Sequence, residues 1–357
     1  MQHTSLESIG EFGLIEYLTK NLRMRHSSTL KGPGDDCAVL RYPADIDLLW
    51  SADMLIEGTH FDLSYVPLKH LGYKSVVVNL SDVFAMGGKP QQISVSIAIS
   101  SRFSLEAIDE LYQGIYLACE RYGIDLIGGD TCSAPSGMVI SLSVIGSVEK
   151  DKAVYRSGAK ANDLIAVTGD LGAAYLGLQI LQREKEVFLS TGSAALDLEP
   201  YHYLLERQLK PESPVEVILA LQEAGLRPNA MIDISDGLSS EALHLCKASG
   251  VGCTLFENKL PIDPLSISVA RDLNLDPTTC ALNGGEDYEL LMTFPIDSYK
   301  ELKSIAGISI IGHISANEGV CELVTDSGAI VPLQAQGWRA FEEEPRASQA
   351  KEDSKPG

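Results

Sequence analysis

No stretch of this chain approaches the roughly 18 consecutive apolar residues of a membrane-spanning helix, which excludes a helical membrane protein. The start, Met1-Gln2-His3-Thr4-Ser5-Leu6-Glu7, lacks a basic n-region and an apolar h-region, so the expectation is a protein made and kept in the cytoplasm. Basic residues are scarce: 28 Lys and Arg stand against 49 Asp and Glu, a net charge of −21. No Lys/Arg-rich run occurs, and nucleic acid and anionic membrane surfaces are both disfavoured as partners, because clustered basic side chains are what hold phosphates. The seven cysteines (Cys37, Cys119, Cys132, Cys246, Cys253, Cys280, Cys321) are odd in number, scattered and never spaced C-x-x-C. That argues against a disulfide framework or a zinc site, and buried reduced thiols are expected. Also missing are G-x-x-x-x-G-K-[ST], a G-x-G-x-x-G following a strand, and the H-R-D and D-F-G sets. The histidines show no spacing of a triad or metal site; only His60, seven residues after Asp53, stands out.

What is present suits a folded chain of two domains, with 357 residues set against about 150 per domain and an apolar fraction of 45%. Apolar spacing predicts a helix over residues 5–25, short strands at 37–40 and 46–52, and a helix carrying Tyr73, Val76, Val77, Leu80, Val83 and Phe84 on one face. A strand at 91–99, a helix at 104–122 and a strand at 138–148 complete an α/β domain of residues 1–149. After a polar connector at 150–160, a strand at 163–168, a helix through Tyr175 to Leu181, a surface loop at 189–200, and a strand at 230–234 leading to a helix that ends at Gly250 belong to a second domain, 150–341. Residues 342–357 are charged and free of large apolar side chains, and read as a disordered tail without catalytic role.

Aspartates recur beside glycines at what read as the ends of apolar strands: GPGDD at 32–36, SAD at 51–53, NLSD at 79–82, IGGD at 127–130, IDISDG at 232–237 and GGED at 284–287. Any one of them fits a turn or a helix cap; six together do not. Carboxylates at strand ends face the ligand crevice of an α/β sheet, and several in one crevice repel each other unless cations separate them. Hard cations follow, Mg²⁺ first, with a nucleotide or other polyphosphate as the ligand. Asp82 lies on a polar stripe with Ser75 and Asn79, open to reading as a solvated face or a ligand. Ser235 or Asp236 fits the N-cap of the next helix as well as a phosphate contact, and Asp35 fits a turn-fixing role beside Asp36.

GPGDDCAVL, SADMLIEGTHF, KSVVVNLSDVFAMGGKP, LIGGDT, YRSGAKANDLIAVTG, IDISDGL and NGGEDYELL occur in this order across residues 8–341, and in this the chain resembles the thiamine-monophosphate kinase family. The resemblance implies a two-domain α/β (α+β) fold of the aminoimidazole ribonucleotide synthetase (PurM-like) kind, dimerising through the N-terminal domains, with ATP and several Mg²⁺ ions between the domains. It implies transfer of phosphate from ATP to thiamine monophosphate, the last step to thiamine diphosphate. By motif, Asp36, Ser51, Asp53, Asp82, Asp130, Asp233 and Asp236 are implied metal ligands; Gly129, Asp130, Arg156 and Ser235 implied ATP contacts, with Tyr112 a further candidate; and His60, Glu286 and Trp338 an implied thiamine pocket. Ala52 stands where the family often has Thr, which leaves a backbone carbonyl as the contact there.

The chemistry suits the residues. Phosphoryl transfer needs positioning and charge neutralisation more than covalent work, and a substrate phosphate with a second pKa of about 6 needs no general base. Trp338 fits a thiazolium face or a capping core aromatic equally. Two other readings stay open: a relative in the same superfamily with another substrate, and a silent nucleotide-binding dimer.

Overall fold

The computed structural model describes residues 17–31, 39–192 and 197–336. Asp36 and Trp338, with Asp35, Cys37 and the tail, lie outside the described residues. Two mixed sheets organise the chain. The first has strands β3 (Ile46–Ile56), β4 (Lys89–Ile99), β5 (Asp125–Ser133) and β6 (Met138–Glu149) in the order β3-β6-β4-β5, with only β4 and β5 parallel. A short ribbon of β1 (Thr29–Lys31) and β2 (Val39–Leu40) precedes it. The second comprises β7 (Leu164–Thr168), β8 (Ala230–Asp233), β9 (Gly252–Phe256), β10 (Leu290–Phe294), β11 (Ile308–Ser315), β12 (Cys321–Val324) and β13 (Ile330–Pro332), in the order β13-β12-β9-β11-β7-β10-β8. Helices α1 (Leu68–Ala85) and α2 (Leu105–Tyr122) cover the first sheet, and α3 (Ala173–Thr191), α4 (His202–Leu209), α5 (Val215–Glu223), α6 (Leu238–Ser249), α7 (Pro264–Asp272), α8 (Pro277–Asn283) and α9 (Tyr299–Ser304) accompany the second.

α1 positions the site. It is apolar on nearly every side, and such helices are buried on every side: Val76, Val77, Leu80 and Val83 share one core with Leu142 and Val144 of β6 and with Met231 and Met292 of the second sheet. Its contact with α2 is backbone against backbone, since a Cβ on Gly72 would stand 1.9 Å from the Leu111 carbonyl oxygen and one on Gly114 1.9 Å from that of Lys69. The helix α2 is closed by Ser104, whose hydroxyl accepts from the Ala107 N–H, and by left-handed Gly123.

Strands β7, β8 and β10 are buried on both faces, which is why they read as unbroken apolar runs. Alternate residues serve two cores: Met231, Leu290 and Met292 face α1, while Ile232, Leu291 and Val167 face α6. β3 alternates differently, with Leu48, Trp50, Met54 and Ile56 exposed and Leu49 buried on the opposite face. Among the described residues no helix is long and apolar enough to cross a membrane.

Several expectations are corrected. The strand expected at 46–52 continues to Ile56, and β5 runs straight through Gly128-Gly129-Asp130, so Asp53 and Asp130 lie within strands rather than at their ends. Strand pairing along the whole of β3 with β6 and of β4 with β5 carries those residues past the glycines. The helix expected through residue 25 gives way at residue 20, and the loop expected from 189 begins only after α3 ends at Thr191.

Candidate active site

Three acidic side chains from three elements line one cavity. β8 directs Asp233, two residues beyond Met231, toward α1, and there Ser81 donates to its carboxylate at 2.6 Å. One residue further along α1, Asp82 accepts from the Ser51 hydroxyl of β3. Asp53, two residues along the same face of β3, has its N–H bound to Asn79 Oδ1 at 3.1 Å. The polar stripe of α1 is therefore a set of bonded side chains inside the protein: Ser75 donates to the Gly72 carbonyl at 2.8 Å and Asn79 to that of Ser75 at 3.0 Å.

The electrostatics follow from crowding. Burial, then Asp82 and Asp233, push the Asp53 carboxyl up to about 7. Burial and Asp82 push Asp233 up to about 6 against the Ser81 hydrogen bond and Arg156. Asp82 is raised by burial, with Ser51 and Arg156 acting against it. Oxygen donors alone, carrying more negative charge than the side chains around them offset, suit hard divalent cations such as Mg²⁺ that take one or two carboxylates each and complete their shells with phosphate or water oxygens; the three carboxylates do not close on a single point.

Two cavities meet at these carboxylates. The larger, about 890 Å³, is lined by Asp53, His60, Asp236, Ser235 and Glu286 as well as by Asp82 and Asp233. The smaller, about 710 Å³, has Ser51, Tyr155, Arg156 and Ser157 on its walls, and again Asp82 and Asp233. In the larger cavity His60 Nδ1 accepts from the Ile56 N–H at 3.0 Å, which fixes the ring. Glu286 is held by Lys74 of α1 at 3.1 Å and by the Gln208 amide at 2.7 Å. Its loop is tight because Gly285, at φ +70°, sits where a Cβ would stand 2.7 Å from the Ser235 carbonyl oxygen.

Not every expected residue joins them. Tyr112 is a core residue of α2, edge-on to Tyr116, with burial raising its hydroxyl pKa; it lines neither cavity. The family resemblance makes it a further candidate for the nucleotide site; within this chain its ring follows the buried face of the helix. Gly129 and Asp130 are exposed on the edge strand β5, also outside both linings. Gly129 has a packing reason of its own, for a Cβ there would stand 1.7 Å from the Val95 carbonyl oxygen. Asp287 of GGED turns inward, accepting from the Gly172 N–H at 3.1 Å, and takes no place on either wall.

Two participants escaped the sequence reading. Lys74, buried within an apolar helix, carries the positive charge opposite Glu286. Glu241 accepts from the Asp236 N–H at 3.3 Å, and burial pushes its carboxyl up to about 8. A lysine inside an otherwise apolar helix was the available signal for the first; a glutamate in the turn after IDISDG signalled only a cap.

Comparison with known proteins agrees with this architecture. Residues 34–148 match the family model described as AIR synthase related protein, N-terminal domain. A hydrogenase maturation protein, HypE, shares the fold at 18% identity, with a TM-score of 0.72 over 93% of this chain and 99% of that one. The chain thus has the α/β fold of the AIR synthase-related class. Within the class, the thiamine-monophosphate kinase of Buchnera aphidicola (Schizaphis graminum) is 36% identical over 337 residues, 93% of this chain and 98% of that protein. That of Bacillus subtilis is 34% identical over 93% of this chain and 99% of its own length. The structure of the Stenotrophomonas maltophilia thiamine-monophosphate kinase aligns with a TM-score of 0.76 at 31% identity, over 92% of this chain and 99% of the other. A structure described as AaThiL complexed with AMPPCP and TMP aligns with a TM-score of 0.73 at 30% identity, over 96% and 99%. The chain belongs to the thiamine-monophosphate kinase family.

Proposed function

We propose that this enzyme transfers the γ-phosphoryl group of ATP to the phosphate of thiamine monophosphate, yielding ADP and thiamine diphosphate, with Mg²⁺ bound at Asp53, Asp82 and Asp233. The observation that carries this is the meeting of two cavities at Asp82 and Asp233: each has room for one substrate, and the acidic group stands between them. Related proteins are kinases of thiamine monophosphate, and one binds AMPPCP and TMP together.

In this reading ATP occupies the smaller cavity, its phosphates toward Arg156, and thiamine monophosphate the larger one, beside His60 and Glu286. Mg²⁺, when bound, neutralises phosphate charge that the carboxylates would otherwise repel. Ser51 and Ser81 hold Asp82 and Asp233 in fixed orientation, Arg156 stabilises charge on the transferred group, and Glu286, one oxygen on Lys74 and the other on the Gln208 amide, is locked on the wall where a cationic heterocycle would lie. The attacking oxygen belongs to the substrate phosphate, largely ionised at neutral pH, and no side chain has to remove a proton. Asp36 and Asp236 as further metal ligands, Ser235 reaching the ATP phosphates from the wall of the larger cavity, and Trp338 against the thiazolium ring complete the proposal; Gly129 and Asp130, outside both linings, enter it only as contacts that the family resemblance implies. A division of the chain after residue 149, a cytoplasmic location, and a homodimer through the exposed face of β3 also belong to the proposal.

Purified protein incubated with ATP, Mg²⁺ and thiamine monophosphate is expected to form thiamine diphosphate one-for-one with ADP, and none after EDTA. Mg²⁺-dependent ATP binding without thiamine diphosphate would overturn the reading in favour of a different acceptor.

A further inference from the structure

The sequence scatters its cysteines, yet the fold gathers three of them. Cys246, Cys253 and Cys321 are buried, and their Sγ atoms lie within 4.8 Å of one another. Strand register is the cause: β9 and β12 are parallel neighbours with Cys321 directly opposite Cys253, so both side chains leave the sheet on one face. α6 covers that face. Its last turn is fixed by left-handed Gly250, and the Val251 N–H returns to the Cys246 carbonyl at 3.1 Å, which sets Cys246 above the strand pair. The group stands at the opposite end of α6 from Asp236.

The arrangement has the features of a ligand set. Sulfurs sharing one ion at a metal–sulfur distance near 2.3 Å stand about 3.8–4.0 Å apart, a spacing within reach here without moving any strand. Leu245, Leu255 and Leu323 belong to the same core, and no His, Asp or Glu joins the sulfur cluster among the described residues. Three soft donors without a fourth suit neither Mg²⁺, which takes oxygen, nor structural zinc, which takes four ligands; they suit a monovalent soft cation. The exposed turn at 316–320 immediately precedes Cys321.

We propose that Cys246, Cys253 and Cys321 form a three-sulfur site for Cu(I) that staples α6 to the β9–β12 edge of the second sheet, independent of the phosphoryl-transfer cleft. Full-length reduced protein, handled without oxygen, is titrated with Cu(I) as its acetonitrile complex against a Cu(I) indicator, and its X-ray absorption is recorded. The expected result is one tightly bound Cu(I) per chain, a higher melting temperature, and a first shell of three sulfurs at about 2.2–2.3 Å. Cys253→Ser and Cys246→Ala should each weaken binding at least about 100-fold, since loss of an outer-shell partner alone costs 10–100-fold. Cys132→Ser, altering an exposed thiol, should leave binding unchanged. Equal binding by the Cys253→Ser and Cys246→Ala proteins would overturn the proposal. So would a first shell of fewer than three sulfurs in the unaltered protein, a result that holds whether or not the variants fold.

Discussion

Asp53 keeps its proton to about pH 7 because burial and two neighbouring carboxylates disfavour its charge, and Asp233 keeps its own to about pH 6 for the same reasons. Folded-state values above those of the unfolded chain mean that this contribution to stability is whole below about pH 4, the unfolded aspartate value, and is lost as pH rises through 6 and 7. In metal-free protein the three aspartates should therefore lower the melting temperature progressively from pH 4 to 7.5. Mg²⁺ should reverse the loss at the upper end, as thermal unfolding with EDTA or with Mg²⁺ will show. Asp53→Asn should raise metal-free stability at pH 7.5 by on the order of 2 kcal/mol while removing activity; a variant less stable than the parent at that pH would contradict the crowding. At this scale the sequence was legible wherever chemistry sits in short motifs. Asp53, Asp82 and Asp233 announce themselves beside their glycines and small residues. The burial of Tyr112 was not legible, because a motif does not say which helix face is buried, and the three cysteines were illegible because the register of β12 on β9 is a pairing between distant segments.

α1 shows how an element carries function. Its apolar residues anchor it between both sheets, and its few polar ones, Lys74, Ser81 and Asp82, each meet a partner in the site or its support. The helix was legible because its apolar residues repeat at helical spacing; that it is buried all round was not, since Ser75, Asn79 and Asp82 look like a solvated stripe until β3 lies beside them. Strand ends were the weakest reading, because backbone pairing extends β3 and β5 past the glycines that appeared to stop them. The α1–α2 crossing depends on two missing side chains. Gly72→Ala or Gly114→Ala should cost about 3 kcal/mol, the upper range for overpacking where backbone must move, measured by urea unfolding. A loss below 0.5 kcal/mol, roughly a surface-substitution effect, would contradict the close approach.

For the whole molecule, the open question is what covers the outer face of the first sheet. Trp50 is 71% exposed, with Leu48, Met54 and Ile56 alongside it on the edge strand β3, an apolar surface of the kind that marks an interface. In the proposed homodimer this face meets its copy. Trp50→Glu should convert the dimer to monomer by light scattering after gel filtration; a parent protein already monomeric at micromolar concentration would remove the dimer from the proposal. The net charge of −21 sets the problem the cleft has to solve, since two anionic substrates must enter an acidic protein and meet beside three carboxylates. The most direct measurement is the turnover of Asp233→Asn, with circular dichroism confirming the fold and ATP and thiamine monophosphate saturating in Mg²⁺. A fall in kcat for thiamine diphosphate of about 10³-fold or more, the scale of losing a central electrostatic group, is the expected result. A variant within tenfold of the parent would contradict the placement of phosphoryl transfer at the junction of the two cavities.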